Sequence, residues 1–359
     1  MKIGFYKLGL NNAKVNTAFG GMYKDFFSAI SKQPNYEAIY ISDFKSINSV
    51  DIMVLTMGSG QESESCKVMN GFNGPVILYT PPAILWFKKS LLKRWSHKIL
   101  FVYNTDESTY SQKKYKEIDI EYTTLPFASD KNTFRPLNFK EKIYDVLFVG
   151  NAKSGTGRYV YTDKLVQKAK EKKWKILLVG SGWEKYGFPL QLIAHGELLN
   201  FVYNSSKISL NISNNEQKMG EDMCLDLNNR VFDLAMSGCF QVSNAPQIIR
   251  KYFGEEEIFA VDDPNLWIDA IDKFLKDKEK REEMSNKTMI RALNLHTWEK
   301  RAKKLTDKIN YSLKNFNKKK KTDSWRIFLR LVDRSGLYSL LFKVHIIVKI
   351  LYSKFKKTP

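Results

Sequence analysis

Two glycine-rich stretches, GNAKSGTGR at 150–158 and GSGWEK at 180–185, each follow an apolar run. They set Gly150, Gly155, Gly157, Gly180 and Gly182 at the ends of expected strands. Glycine at such a place leaves backbone N–H groups bare, and bare amides at the start of a helix attract a diphosphate. The first stretch is a near miss for an NTPase loop, because Thr156 stands where that loop needs lysine. GSGWEK, and GSGQES at 58–63, carry only two glycines of a dinucleotide fingerprint, which tight strand-to-helix turns explain equally well. Position separates 150–182 from a chance match, since an open α/β sheet binds its ligand beyond the carboxyl ends of its strands. A further pair lies in NRVFDLAMSG at 229–238. Arg230 and Asp233 are three apart, so on a helix they share one face, and Gly238 is placed to stop that helix.

Elements to carry these residues are legible in the hydrophobic pattern. KIGFY (2–6), VDIMVLT (50–56), PVILYT (75–80) and KILFVYN (98–104) read as buried strands, with a helix over YKDFFSAIS (23–31). Near-continuous apolar strands alternating with helices predict a parallel sheet covered on both faces. The pattern then restarts with the strand YDVLFVGN (144–151), the helix 162–173 and the strand KILLVGSG (175–182). The helix 197–206, the strand KISLNIS (207–213), the helix 229–238, the strand CFQVSN (239–244) and a helix over 262–277 follow. Between the two units stands LPFASDKNTFRP (125–136), polar and bounded by prolines, where a domain boundary is expected.

At 359 residues, two domains are the expectation, and 43% hydrophobic content is ample for two cores. Cys66, Cys224 and Cys239 form no CxxC pair and no zinc spacing, which fits reduced thiols in a cytosolic protein. His97, His195, His296 and His345 form no HExxH or HxH cluster, so no metal is expected. The opening MKIGFYKLGL does not read as a signal peptide, and no apolar run reaches the roughly 18 residues of a spanning helix. The net charge is +20, of which residues 318–359 contribute +10, with 12 Lys/Arg against 2 Asp/Glu. A second basic cluster is WFKKSLLKRWSHK at 86–98. Such charge attracts polyanions, either nucleic acid or anionic lipid. The absence of RNP, KH, zinc-finger and helix-turn-helix patterns argues against a nucleic-acid partner.

The second half resembles the glycosyltransferases of the GT-B fold, in particular the group-1-like branch that includes CgeB-type proteins. The likeness runs over roughly 125–310 and rests on five stretches in order. LPFASDKNTFRP is similar to the family's interdomain linker, DVLFVGN with Arg158 to its donor-loop strand, and HGELLNFVYNSSKISLNIS to its glycine-led helix and strand. LNNRVFDLAMSGCFQVSN resembles the Arg-x-Phe-Glu-x-x-x-x-Gly element, and HTWEKRAKKLTDKI the closing helix. In the first half only FGGMYKDF, with Gly20 and Gly21, is similar to the glycine turn on the acceptor side. Asp233 replaces the family's Glu, and no Glu-x7-Glu signature is present, with Leu225 at the earlier position.

The resemblance implies an α/β protein with two Rossmann-like domains facing across a cleft. The expected division is 1–130 on the acceptor side, 137–310 for the nucleotide-sugar donor, and a basic amphipathic helical tail at 318–359. It implies sugar transfer from a nucleotide sugar to an acceptor hydroxyl, leaning towards retention of configuration, with no cofactor beyond the donor. Gly150, Asn151, Arg158, Gly180, Gly182, Arg230 and Asp233 are the implied donor contacts, the two arginines at the diphosphate and Asp233 at the ribose. Alternatives are a teichoic-acid-type polyol-phosphate transferase and a non-catalytic surface protein that kept the fold. The tail mixes aromatic and aliphatic residues with Lys and Arg, which suits a helix in the headgroup plane. Trp325, Arg326, Arg330, Lys343 and Lys349, with Trp86, Lys88, Lys89, Lys93 and Arg94, are the expected contacts to an anionic membrane. That expectation puts the protein at the inner membrane face, beside a lipid-linked or glycan acceptor.

Overall fold

The computed structural model describes residues 1–7, 18–56, 62–79, 89–105, 109–152, 158–188, 195–213 and 227–316. In the first half, strands β1 (Lys2–Tyr6), β2 (Glu37–Ile41), β3 (Ile52–Thr56), β4 (Val76–Tyr79), β5 (Ile99–Asn104) and β6 (Tyr122–Thr124) alternate with helices α1 (Ala18–Ser31), α2 (Glu62–Gly71), α3 (Lys89–Trp95) and α4 (Thr109–Lys116). In the second half, β7 (Tyr144–Val149), α5 (Arg158–Lys172), β8 (Ile176–Val179), α6 (Gly196–Asn204), β9 (Ser206–Asn211), α7 (Asn229–Met236), β10 (Gln241–Ser243), α8 (Pro246–Ile249) and β11 (Phe259–Ala260) follow in turn. Three longer helices close this part: α9 (Pro264–Lys276), α10 (Lys278–Leu295) and α11 (Trp298–Lys314).

The strands form two separate parallel sheets, in the orders β2-β1-β3-β4-β5-β6 and β11-β10-β9-β7-β8. Successive residues of a strand point to opposite faces, so apolar runs feed two cores at once. Ile52 and Val54 face α1, while Met53 and Leu55 face α2, α3 and α4. In the second sheet Val146 and Phe148 pack with α5 and α9, and Leu147 packs with α6 and α7. Each sheet reverses its strand order beside its first strand, at β1/β3 and at β7/β9, and the crevices beyond those strand ends are where such sheets take ligands.

The last helix departs from the expected boundaries. Residues 298–310, assigned from the sequence to the second domain, pack on the first sheet instead. Trp298, Ala302, Leu305 and Ile309 of α11 join Ile3, Phe5, Phe26 and Ile30 in one core. The chain therefore crosses between the lobes twice, at 125–136 and at 295–298. Short edge strands β2 and β6 and the helices α2, α3 and α4 add to the elements expected from the sequence. Gly20 and Gly21 lie inside the first turns of α1 rather than in a turn before it, because that helix begins at Ala18 and not at residue 23.

Candidate functional site

The carboxyl ends of β7 and β8 are zipped together through their glycines. Gly150 N donates to Val179 O (2.7 Å), and Ala152 N to Ser181 O (2.9 Å). The Asn151 side chain accepts from Ser181 N (3.0 Å), and the Trp183 indole donates to Gly150 O (2.9 Å). Gly180 has φ +132°, and a Cβ there would stand 2.6 Å from Gly150 O. Gly182 has φ +85°, and its Cβ would meet Ala152 O at 2.8 Å. Both positions thus require glycine for backbone conformation and for the closeness of the neighbouring turn.

Two arginines converge above this zipper. Arg158 opens α5, and its Nη1 donates to Asn151 O (3.1 Å). Arg230 lies in the first turn of α7. Both guanidinium groups sit over the Phe148 ring, at 5.7 Å and 4.9 Å from its centroid. The place a Gly150 Cβ would occupy is 3.1 Å from Arg230 Nη2, so glycine makes room for that guanidinium. Burial lowers the Arg158 pKa. Burial also takes Arg230 down to about 10, with Arg158 adding to the fall and Tyr203 and Asp233 opposing it. Arg230 Nη1 and Arg158 Nε are buried without a hydrogen-bond partner, and no carboxylate forms an ion pair with either arginine among the described residues. Two neighbouring cations held this way have unmet demand for an anion.

The start of α7 is also left open. Asn228 caps it in extended conformation, but its side-chain amide donates to Asn211 Oδ1 (2.8 Å) and no cap hydrogen bond forms. The N–H groups and dipole of the first turn therefore face the strand ends beside Arg230. Asp233, one turn on, is 5% exposed and forms no ion pair with Arg230 among the described residues. Its Oδ2 accepts from Asn229 Nδ2 (2.7 Å), and its Oδ1 is buried without a partner. Burial pushes this carboxyl up to about 8.

The donor-side residues expected from the sequence therefore come together: Gly150, Asn151, Arg158, Gly180, Gly182 and Arg230 form one cluster, with Asp233 one turn deeper. Gly155 and Gly157 lie outside the described residues, as do Trp86, Lys88, Trp325, Arg326, Arg330, Lys343 and Lys349. Lys89 opens α3, and Lys93 and Arg94 stand in its last turn, with Lys93 exposed. No group of three metal-binding side chains, and no helix long and apolar enough to cross a membrane, occurs among the described residues.

Sequence reasoning missed the residues that fasten the two lobe crossings. Arg301 is 6% exposed and donates to Pro126 O (2.8 Å), Phe127 O (3.0 Å) and Leu295 O (2.9 Å), with His296 Nδ1 at 2.9 Å. Ser129 N donates to His296 O (3.0 Å). On the donor side, Asn200 Oδ1 accepts from Arg135 N (3.2 Å) and Asn204 Oδ1 from Leu137 N (2.9 Å). A signal for Arg301 existed: it interrupts the otherwise apolar stripe Trp298, Ala302, Leu305 and Ile309, and a cation on a buried face needs acceptors.

Residues 158–307 match the family described as glycosyl transferase-like. No curated protein matches the chain by sequence. Among solved structures, it is similar to T4 phage β-glucosyltransferase (TM-score 0.56, 17% identity, covering 87% of this chain and 98% of that one). It is also similar to sucrose-phosphate synthase from Thermosynechococcus elongatus (0.58, 12%, 88% and 100%) and to HepE from Anabaena in complex with UDP-glucose (0.58, 10%, 87% and 100%). The fold is GT-B, two parallel-sheet Rossmann-like lobes, and the second lobe has the group-1-like glycosyltransferase form.

Proposed function

For a chain of the GT-B fold with a glycosyl transferase-like second lobe, we propose transfer of a sugar from a nucleotide-sugar donor to an acceptor hydroxyl. One observation carries the reading: two guanidinium groups flank Phe148 at the ends of β7 and β8, beside two helix starts, with no carboxylate paired to either among the described residues. As the bond from the anomeric carbon to the diphosphate oxygen breaks, its electron pair moves onto that oxygen. Fixed cations and helix dipoles aimed there stabilise the departing charge without reorganising. Arg158 and Arg230 take the diphosphate. The glycines at 150, 180 and 182 let the backbone approach it, with Asn151 holding the turn. Asp233 Oδ1 accepts from a ribose hydroxyl. Retention of configuration is the favoured stereochemical outcome, and Gly20 and Gly21 stand on the acceptor side.

The proposed setting is the inner face of the cell membrane, in synthesis of a cell-surface polysaccharide or glycolipid from a lipid-linked or glycan acceptor. Its support is the basic charge of 318–359 and of the 86–98 cluster. Deleting 318–359 should abolish sedimentation with anionic liposomes at low salt, and unchanged sedimentation would dispose of the membrane setting.

A thermal-shift panel of nucleoside diphosphates and nucleotide sugars tests the donor site. A ligand present at 100 times its dissociation constant adds about 2.7 kcal/mol of stability. At least one nucleoside diphosphate should raise the melting temperature while its parent nucleoside does not. Silence across the whole panel would refute donor binding.

A further inference from the structure

We infer that Asp233 is a positioning residue that ties occupation of the donor site to closure of the two lobes. The inference rests on the donor reading above and adds a second task for a residue of that site.

The crossing 125–136 is fastened at both ends. Its first part, Pro126–Ser129, is held by Arg301 and by the Ser129–His296 backbone bond, with a bridge between Ser129 and Thr297. Its last part is held by Asn200 and Asn204 of α6. Between the two anchors lies a turn closed by Asp130, whose Oδ2 accepts from the backbone (3.0 Å) and hydroxyl (2.8 Å) of Thr133. Rotation of one lobe on the other therefore falls on residues 130–134, beside the second crossing at 295–298.

Helix α7 touches this pivot at both of its ends. At its carboxyl end Ser237 Oγ donates to Asn200 Oδ1 (2.7 Å), the atom that also accepts from Arg135 N. In its middle, the Asp233 carboxyl faces the Ser129 hydroxyl, which is fully buried and, like Asp233 Oδ1, has no hydrogen-bond partner. Asp25 of α1, in the first lobe, is near enough to act on the same carboxyl electrostatically. Arg230 stands one turn earlier on the same helical face, over Phe148 in the anion site. A rigid turn of helix thus joins the anion site to two unpaired oxygens at the pivot. A ribose hydroxyl on Asp233 Oδ1 turns that carboxyl relative to Ser129, and a buried mismatch of this kind is relieved by moving the crossing.

Small-angle scattering of the full chain separates the possibilities. The probes are inorganic pyrophosphate, which has no ribose, and whichever of UDP, GDP or ADP raises the melting temperature. In the wild type the nucleotide should lower the radius of gyration, while pyrophosphate binds without doing so. Ser129→Ala should bind the nucleotide within about threefold of wild type yet fail to compact at saturation. With a competent acceptor its kcat should fall while KM for the donor holds. Asp233→Asn should leave pyrophosphate affinity within twofold, weaken the nucleotide about tenfold, and stay open at saturation. Compaction by pyrophosphate alone, or full compaction of either variant at saturating nucleotide, overturns the inference and leaves the donor site standing. If no nucleotide binds the wild type, the donor reading falls and this inference falls with it.

Discussion

Replacing Arg230 with methionine should separate function from stability, with opposite signs. The guanidinium has no carboxylate partner among the described residues, so its removal leaves no orphaned counter-charge. What is lost is the contact over Phe148 at 4.9 Å, worth about 0.5–2 kcal/mol. What is relieved is the desolvation and the repulsion by Arg158 that hold its pKa near 10. Exchanging buried charge for an apolar side chain of similar size is often neutral, or stabilising by about 1–4 kcal/mol. The free protein should therefore keep its stability or gain about 1–2 kcal/mol, a rise of a few degrees in Tm. Binding behaves differently, because a diphosphate would lose one of two buried cations. Truncating one partner of a buried charge pair costs about 2–5 kcal/mol, so the nucleoside diphosphate Kd should rise about 30-fold or more. Differential scanning fluorimetry gives the first quantity and titration calorimetry the second. A variant destabilised by more than about 3 kcal/mol, with nucleotide affinity within twofold of wild type, would show that Arg230 is a structural cation and refute the reasoning.

Three other perturbations probe separate parts of the structure. Gly180→Ala forces a Cβ to 2.6 Å from Gly150 O at φ +132°, which should cost about 2–4 kcal/mol in urea unfolding and weaken nucleotide binding through the displaced Asn151–Arg158 contact. Arg301→Met leaves the carbonyls of Pro126, Phe127 and Leu295 unpaired in a buried site and should cost about 3–5 kcal/mol, with Arg301→Lys recovering part of the loss. The third concerns pH. Asp233 is faced by Asn229 and Arg230 from its own helix, Ser129 from the crossing and Asp25 from α1, and its pKa of about 8 lies above the unfolded value of about 3.9. The folded state then holds a proton that the unfolded chain has released, so stability falls as pH rises between those values. Asp25, raised to about 6, acts only below that pH, and His296, lowered to about 4, acts in the opposite sense below about 6.5. Between pH 6.5 and 8, Asp233→Asn should therefore flatten the decline in Tm, and an unaltered slope would remove Asp233 as its cause.

Element type and the strand-end position of the glycines were legible from the sequence because both are local. Apolar runs such as ILFVYN, alternating with helical periods, name a parallel sheet buried on both faces, and glycine after such a run marks a turn. Arg230 and Asp233 could be put on one helical face by counting to three. What they face could not be counted. Gly150 packs against Gly180 only because β7 and β8 pair side by side, and Arg158 meets Arg230 only because both helices start at the same strand ends, 72 residues apart in the chain. The closing helix carried an apolar stripe from which burial could be expected, but a stripe does not say which sheet it covers. Its placement on the first lobe follows from the core it completes with Phe5, Phe26 and Ile30, a partnership across more than 250 residues. Burial decided the rest: a carboxyl and two guanidinium groups that could have been solvated were folded into the junction, where unpaired charge and unpaired oxygens are costly unless a ligand or a neighbouring lobe meets them.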